Sequence, residues 1–127
     1  MEKQTEAFPT TYAVFNWSRG LNLATQVFVA GTSQTRRRGM LGKESIRPEA
    51  GLWIAPCEAV HTFGMQTTID VIFLDRQYRV SKLVNNLSPY RIAVCLKAAS
   101  VLEVASGTIA ASQTNIGDCL HFQPCSK

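Results

Sequence analysis

The segment His61–Asp75, which reads His-Thr-Phe-Gly-Met-Gln-Thr-Thr-Ile-Asp-Val-Ile-Phe-Leu-Asp, decides the fold of this chain. A turn-like stretch carrying His61 and Met65 leads directly into the apolar run Ile69–Leu74, which predicts a β-strand. Both faces of this strand are apolar apart from Asp70, so we expect it to be central and its acid to be at least partly buried. A buried carboxylate needs hydrogen-bond donors or a positive partner, and Asp70 therefore requires an explanation.

The composition predicts one small folded domain. The chain has 127 residues, of which 46% are hydrophobic and 17% are charged, and such a chain can form a core. No apolar run is long enough to span a bilayer. The beginning of the chain does not have the pattern of a signal peptide, so we expect a cytoplasmic protein whose four cysteines are reduced. The net charge of +4 is mild and does not indicate a nucleic-acid-binding protein.

Short apolar runs separated by turn residues organise the rest of the chain. We expect a flexible tail over residues 1–9, a single globular domain over 10–123 and a second tail over 124–127. The predicted fold class is α+β, mostly β, with a compact small barrel or sandwich and one or two short helices. The expected helices cover residues 34–41 and 108–113, and the expected strands lie within 11–30 (two strands joined by a turn at Gly20) and at 52–55, 69–74, 78–84, 101–104 and 119–122.

Four segments, in this order and spacing, resemble the bacterial and archaeal family known as domain of unknown function 192. The resemblance spans about residues 25–122 and implies a small β-rich fold with no established activity. Many members of the family have Trp-Met-Lys-Asn-Thr near the place where this chain has Phe63–Thr68, so a role for a lysine there does not carry over. Members often have an N-terminal signal or membrane anchor, which is not visible here. The matching segments are Thr35–Gly42, Gly51–Ile54 with Pro56–Cys57, His61–Met65 with Ile69–Asp75, and Val101–Val104 with Gly107 and Ile116–Asp118.

His61 and Asp70 form the first candidate pair. The functional interpretation is an acid/base or ligand-orienting pair, with the histidine folding back across the bend at Gly64. The structural interpretation, which we favour, is that Asp70 fixes the loop from His61 to Met65 by accepting its backbone amides.

Cys57 is a candidate nucleophile. It follows Pro56 at a predicted strand end, with His61 four residues later as a possible base and Asp70 as the residue that would orient the histidine. A free cysteine also commonly serves as a small apolar core residue, and we favour that interpretation.

Two further clusters carry weaker hypotheses. Cys119, His121 and Cys125 have a Cys-x-His-x₃-Cys spacing, but the tight cysteine pair typical of zinc sites is missing, so we expect no metal and no cofactor. The Arg36–Arg38 run could make a weak contact with nucleic acid, although a solvated helix face explains it better. Ile116–Asp118 is typical of a tight turn.

These observations favour a non-enzymatic module, a monomer or weak dimer, that binds a small molecule or a protein partner. We expect a groove lined by Trp53, His61, Phe63 and Met65, because aromatic side chains with a few polar groups are the usual lining of binding sites. The alternative is a hydrolase- or transferase-like enzyme that uses Cys57, His61 and Asp70.

Overall fold

The structure is a computed structural model that describes residues 11–30 and 47–125. In these residues the fold is mostly β, with one short helix, which confirms the predicted class. The elements are β1 (Thr11–Asn16), β2 (Leu21–Ala30), β3 (Ala50–Ile54), β4 (Ala59–His61), β5 (Ile69–Leu74), β6 (Val80–Leu87), β7 (Ile92–Val94), β8 (Ser100–Ala105), α1 (Thr108–Ala111) and β9 (Leu120–Cys125).

Seven strands form one large sheet, in the order β6-β5-β8-β3-β2-β1-β9. All neighbouring pairs are antiparallel except β2 and β3, which are parallel. The sheet does not close into a barrel within the described residues, but it curls far enough for Arg79 to form an isolated antiparallel bridge with Cys119. β4 and β7 form a separate two-stranded sheet. Of the two predicted architectures, the fold is therefore sandwich-like.

The large sheet separates two apolar cores. Side chains alternate along β3, so Leu52 and Ile54 pack in one core and Trp53 packs against the other. β5 alternates in the same way and is buried along its whole length, as expected for a strand between two neighbours with both faces covered. The first core also contains Val60 and Ala93, the inward-facing residues of the small sheet. The small sheet thus covers one face of the large one.

Several predicted elements have the predicted positions. β5 has the bounds that its apolar run indicated, and the hairpin loop after it begins at Asp75, whose Oδ1 accepts hydrogen bonds from the backbone amides of Gln77 and Arg79. The strand predicted over 119–122 is longer, because β9 continues to Cys125 and so includes two residues that we had assigned to the tail. β4 and β7 were not predicted. The expected helix over 34–41, the Arg36–Arg38 run and the expected tail over residues 1–9 lie outside the described residues.

Candidate functional site

Asp70 is fully buried and is held by three backbone amides. The amide of Asn86 donates to its Oδ1 at 2.9 Å, and the amides of Gly107 and Ile109 donate to its Oδ2 at 3.1 and 2.8 Å. The carboxylate therefore joins β5 to β6 and to the beginning of α1. The structural interpretation was right in kind but wrong in its partner, since the amides come from these segments and not from the loop after His61.

Thr62 is the residue that anchors the loop from His61 to Met65. Its side chain is fully buried, and its Oγ1 donates to the carbonyl of Ser88 at 2.6 Å and accepts from the amide of Arg91 at 2.8 Å. Its backbone carbonyl accepts from the amides of Met65 and Tyr90. Sequence reasoning missed this role, because a threonine in a polar loop carries no signal of burial.

The loop that Thr62 anchors presents an aromatic stack. The rings of His61 and Phe63 lie 5.0 Å apart, and those of Phe63 and Tyr90 lie 6.3 Å apart with an interplanar angle of 27°. The amide of Phe63 also donates to His61 Nδ1 at 3.3 Å. Tyr90 has a positive φ of 63°, a conformation that costs energy for a bulky residue. The hydrogen bond that its amide donates to the Thr62 carbonyl holds it in this conformation.

This stack continues into an exposed apolar surface on the small sheet. His61 of β4 pairs with Ile92 of β7, and residues directly opposite one another have their side chains on the same face. Phe63 is 51% exposed, Tyr90 65%, Ile92 62% and Val94 40%. We call the side chains of His61, Phe63, Tyr90, Ile92 and Val94 the outer face of the small sheet.

The structure does not bring all four predicted groove residues together. His61 and Phe63 are neighbours on the outer face, whereas Met65 is buried beneath it in the first core. Trp53 packs against the other core, on the opposite side of the large sheet, where its ring stacks on Phe122 with centroids 4.0 Å apart.

Of the three residues of the enzymatic alternative, Asp70 lies apart from the other two. Cys57 donates to the carbonyl of Ala59, and the ladder between β4 and β7 continues next to it through the amide of Cys95 and the carbonyl of Glu58. The Cys57 side chain packs against the first core, whereas His61 lies on β4 with its ring next to that of Phe63. The carboxylate of Asp70 lies on the face of β5 opposite to the one that packs against Met65.

A second buried acid, Glu103, was not singled out from the sequence. It is fully buried and pairs directly with Leu52 of β3 and Val71 of β5, so its side chain lies on the face of the first core. An acid inside an apolar strand was the signal that marked Asp70, and the same signal at Glu103 could have found it.

Asp118 completes the tight turn predicted over 116–118 and belongs to a buried polar network. Its Oδ2 accepts from Arg19 Nε, from the Asn115 amide and from Asn16 Nδ2, at 2.8 to 3.0 Å. Burial alone would raise the pKa of the carboxyl, but the hydrogen bonds from Arg19, Asn115 and Asn16, together with the Arg19 charge, lower the pKa of Asp118 below 3.8. The network joins the end of β1 to the turn before β9.

Cys119, His121 and Cys125, which carry the metal hypothesis, all lie in β9 or directly before it. Nowhere in residues 11–30 and 47–125 do three His, Cys, Asp or Glu side chains lie in an arrangement that could hold a metal ion. His121 Nε2 instead lies 3.1 Å from Gln123 Oε1, and Cys119 and Cys125 are free thiols. In the same part of the chain, no helix has both the length and the apolar character needed to cross a bilayer.

A family model matches residues 15–122, which is most of the chain. The chain therefore belongs to the domain of unknown function 192 family, described as an uncharacterized ACR. This membership confirms the resemblance seen in the four sequence segments. No curated protein matches the chain.

Two solved structures have the same fold. One, from Sinorhizobium meliloti, is described as "a putative transcription regulator"; it has a TM-score of 0.74 and 18% identity, and the match covers 94% of this chain and 98% of that one. The other is a protein of unknown function from Novosphingobium aromaticivorans, with a TM-score of 0.70, 21% identity, and coverage of 89% of this chain and 83% of that one. At these identities the likeness concerns the fold alone.

Proposed function

We propose that this protein is a non-enzymatic module that binds a protein partner through the outer face of the small sheet. The observation that carries the proposal is the exposure of Phe63, Tyr90, Ile92 and Val94 side by side on one face. Soluble proteins seldom leave such a contiguous apolar surface uncovered unless it binds something. Aromatic and aliphatic side chains exposed by 40–65% leave much apolar area for a protein partner to bury.

The chemistry of the partner follows from the border of this face. Arg91 lies between Tyr90 and Ile92 in the sequence and is exposed, and Lys82 Nζ donates to the carbonyl of Val94 at 2.8 Å. Arg91 and Lys82, which lie beside the outer face, are both positively charged. We therefore expect a partner whose apolar contact surface has an acidic border. The Phe63 and Tyr90 rings are suitable anchors, since aromatic residues dominate the energetics of protein interfaces.

The arrangement of the residues also favours binding over catalysis. Asp70 lies on the face of the large sheet opposite to the one against which Cys57 packs, and it accepts hydrogen bonds from three backbone amides. A catalytic assembly needs a nucleophile, a base and an orienting group within hydrogen-bond reach.

Site-specific photo-crosslinking of the full chain in its host cells tests the proposal. A photoreactive residue replaces Ala59, which is exposed and pairs with Val94, or, as a matched control, Ala110, which is exposed on α1. We expect one crosslinked protein from position 59 that is missing from position 110 and lost in Phe63→Ser.

The captured protein is then purified and titrated against variants of this chain. We expect Ile92→Asp to weaken its binding about tenfold or more, which corresponds to roughly 1.4 kcal/mol. Ile116→Asp, at an isoleucine of similar exposure far from the small sheet, should leave the affinity unchanged. Equal crosslinking from both alanines, or an affinity that Ile92→Asp leaves intact, would contradict the proposal.

A further inference from the structure

A cavity of about 520 Å³ lies beyond the end of the small sheet, at the end remote from the aromatic stack. Three segments form its walls: the chain between β3 and β4, the β5–β6 hairpin loop and the chain between β7 and β8. The volume lies in the range of small-molecule sites, roughly 300–1,000 Å³. The lining residues are Pro56, Cys57, Glu58, Arg76, Leu96, Lys97, Ala98 and Ala99. We call this the Arg76 cavity.

Backbone hydrogen bonds hold the three walls in place. The amide of Cys57 donates to the carbonyl of Ala99 at 3.1 Å, and the amide of Ala99 donates to the carbonyl of Leu74 at 2.7 Å. The amide of Cys95 donates to the carbonyl of Glu58 at 2.8 Å. The loop that contains Arg76 is fixed by two hydrogen bonds, which the amides of Gln77 and Arg79 donate to Asp75 Oδ1. The cavity is therefore preformed, which lowers the entropic cost of binding a ligand.

The charges on the walls select the ligand. Arg76 and Lys97 contribute two positive charges and Glu58 one negative charge, so the lining has a net charge of +1. Neither cation has a side-chain hydrogen bond or ion pair with a residue in the described ranges, 11–30 and 47–125. A guanidinium and an ammonium on residues that line one cavity are suitable partners for a carboxylate or a phosphate.

The other lining residues favour a carboxylate over a phosphate. Pro56, Leu96, Ala98 and Ala99 give the cavity an apolar side, and Leu96 is 76% exposed. The Glu58 carboxylate opposes a second negative charge on the ligand, which disfavours a phosphate dianion. We propose that the Arg76 cavity binds a small organic monocarboxylate with a short apolar tail. This proposal is independent of the protein partner, because the cavity and the outer face have different lining residues.

Titration of the full chain with hexanoate, followed by two-dimensional amide NMR, tests this inference. We expect saturable shifts confined to residues 57–58, 75–77 and 95–99. Hexanoate should also slow the alkylation of Cys57 by iodoacetamide, measured by mass spectrometry, and should leave that of Cys119 unchanged, since Cys119 lies outside the cavity. Hexanamide, which has the same tail without the charge, and inorganic phosphate, which has no tail, should both bind more weakly.

Variants of the two cations complete the test. We expect Arg76→Gln and Lys97→Gln each to weaken hexanoate binding roughly three- to tenfold. Arg47→Gln, at an exposed arginine outside the cavity, should leave it unchanged. Because Arg76 and Lys97 are exposed, these variants should fold normally. Equal affinity for hexanoate and hexanamide, equal effects of all three variants, or no protection of Cys57 would overturn the proposal.

Discussion

The two sheets of this protein differ in which side chains they bury and which they expose. In the large sheet, the polar side chains of Asn16 and Asp70 are fully buried and make specific hydrogen bonds. In the small sheet, the large apolar side chains of Ile92 and Val94 are exposed. The buried acid Asp70, the most conspicuous residue in the sequence, therefore has a structural role, whereas the apolar residues of the small sheet form the candidate site.

This difference arises because a buried polar group without a hydrogen bond costs more free energy than an apolar group exposed to water. A buried polar group destabilises the fold unless it is hydrogen-bonded, so Asp70 takes three amides that would otherwise lack an acceptor. An exposed apolar group costs much less, and a fold can keep several of them for a partner.

Asp70→Ala should have the largest effect on stability. Removal of the carboxylate leaves the buried amide of Ile109 and the partly buried amides of Asn86 and Gly107 without their acceptor, and we expect the free energy of unfolding to fall by roughly 3 kcal/mol. Urea denaturation measures this change. Asp70→Asn keeps one acceptor oxygen and should cost less. A loss below about 1 kcal/mol for the alanine variant would contradict the view that this acid is architectural.

Thr62→Val should have the next largest effect and should be confined to the small sheet. Valine has almost the same shape but can neither donate to the Ser88 carbonyl nor accept from the Arg91 amide, so we expect a loss of about 1–2 kcal/mol. Hydrogen exchange should become faster in β4 and β7 and stay unchanged in β5. Thr67→Val is the matched control, because the Thr67 hydroxyl makes only a 3.4 Å contact with the carbonyl of its neighbour. Equal effects of the two variants would show that Thr62 does not anchor the loop.

The sequence allowed much of the large sheet to be predicted. β5 is apolar apart from Asp70 and β8 apart from Ser100 and Glu103, and their burial on both faces is the physical reason why such runs are recognisable. The partners of Asp70 could not be predicted in this way. Backbone amides have no residue-specific signal, and two of these three lie 37 and 39 residues further along the chain.

The small sheet was harder to predict, because each of its strands has only three residues. Such strands are too short to show a period of two, and propensity alone does not pair residues 59–61 with 92–94. His61 and Phe63, two residues of the predicted groove, have neighbouring rings in the structure. Trp53 was grouped with them although its side chain points to the other face of the large sheet, because a list of aromatic residues contains no information on strand direction.

Asp118→Asn should have a smaller effect that depends on pH. The lowered pKa means that the folded state holds the ionised carboxylate more favourably than the unfolded chain does. This contribution is present above pH 3.8 and is lost as the pH falls below that value through the folded-state pKa. We therefore expect the variant to lose less stability than the wild-type chain on acidification through this range, as measured by urea denaturation. A curve parallel to that of the wild-type chain would contradict the assignment.

Glu49→Gln is the matched control for this acid-range experiment. The backbone and side-chain hydrogen bonds of Glu49, including the one from Arg47, also lower its pKa, but its contact with Arg47 lies at the protein surface. Solvent screens such a pair, so we expect the control to change the acid range less than Asp118→Asn does.

Ile92→Ser should have the smallest effect on stability. This result would separate a role of the small sheet in binding from a role in stability. Ile92 is 62% exposed and Ile116 is 67% exposed, so each serine variant should change the free energy of unfolding by no more than about 0.5 kcal/mol. If the outer face is kept for a partner, serine at position 92 weakens partner binding without weakening the fold, and serine at position 116 changes neither. A clear loss of stability confined to Ile92→Ser would instead show that this side chain supports the small sheet. The division between a structural large sheet and a binding small sheet would then have to be abandoned.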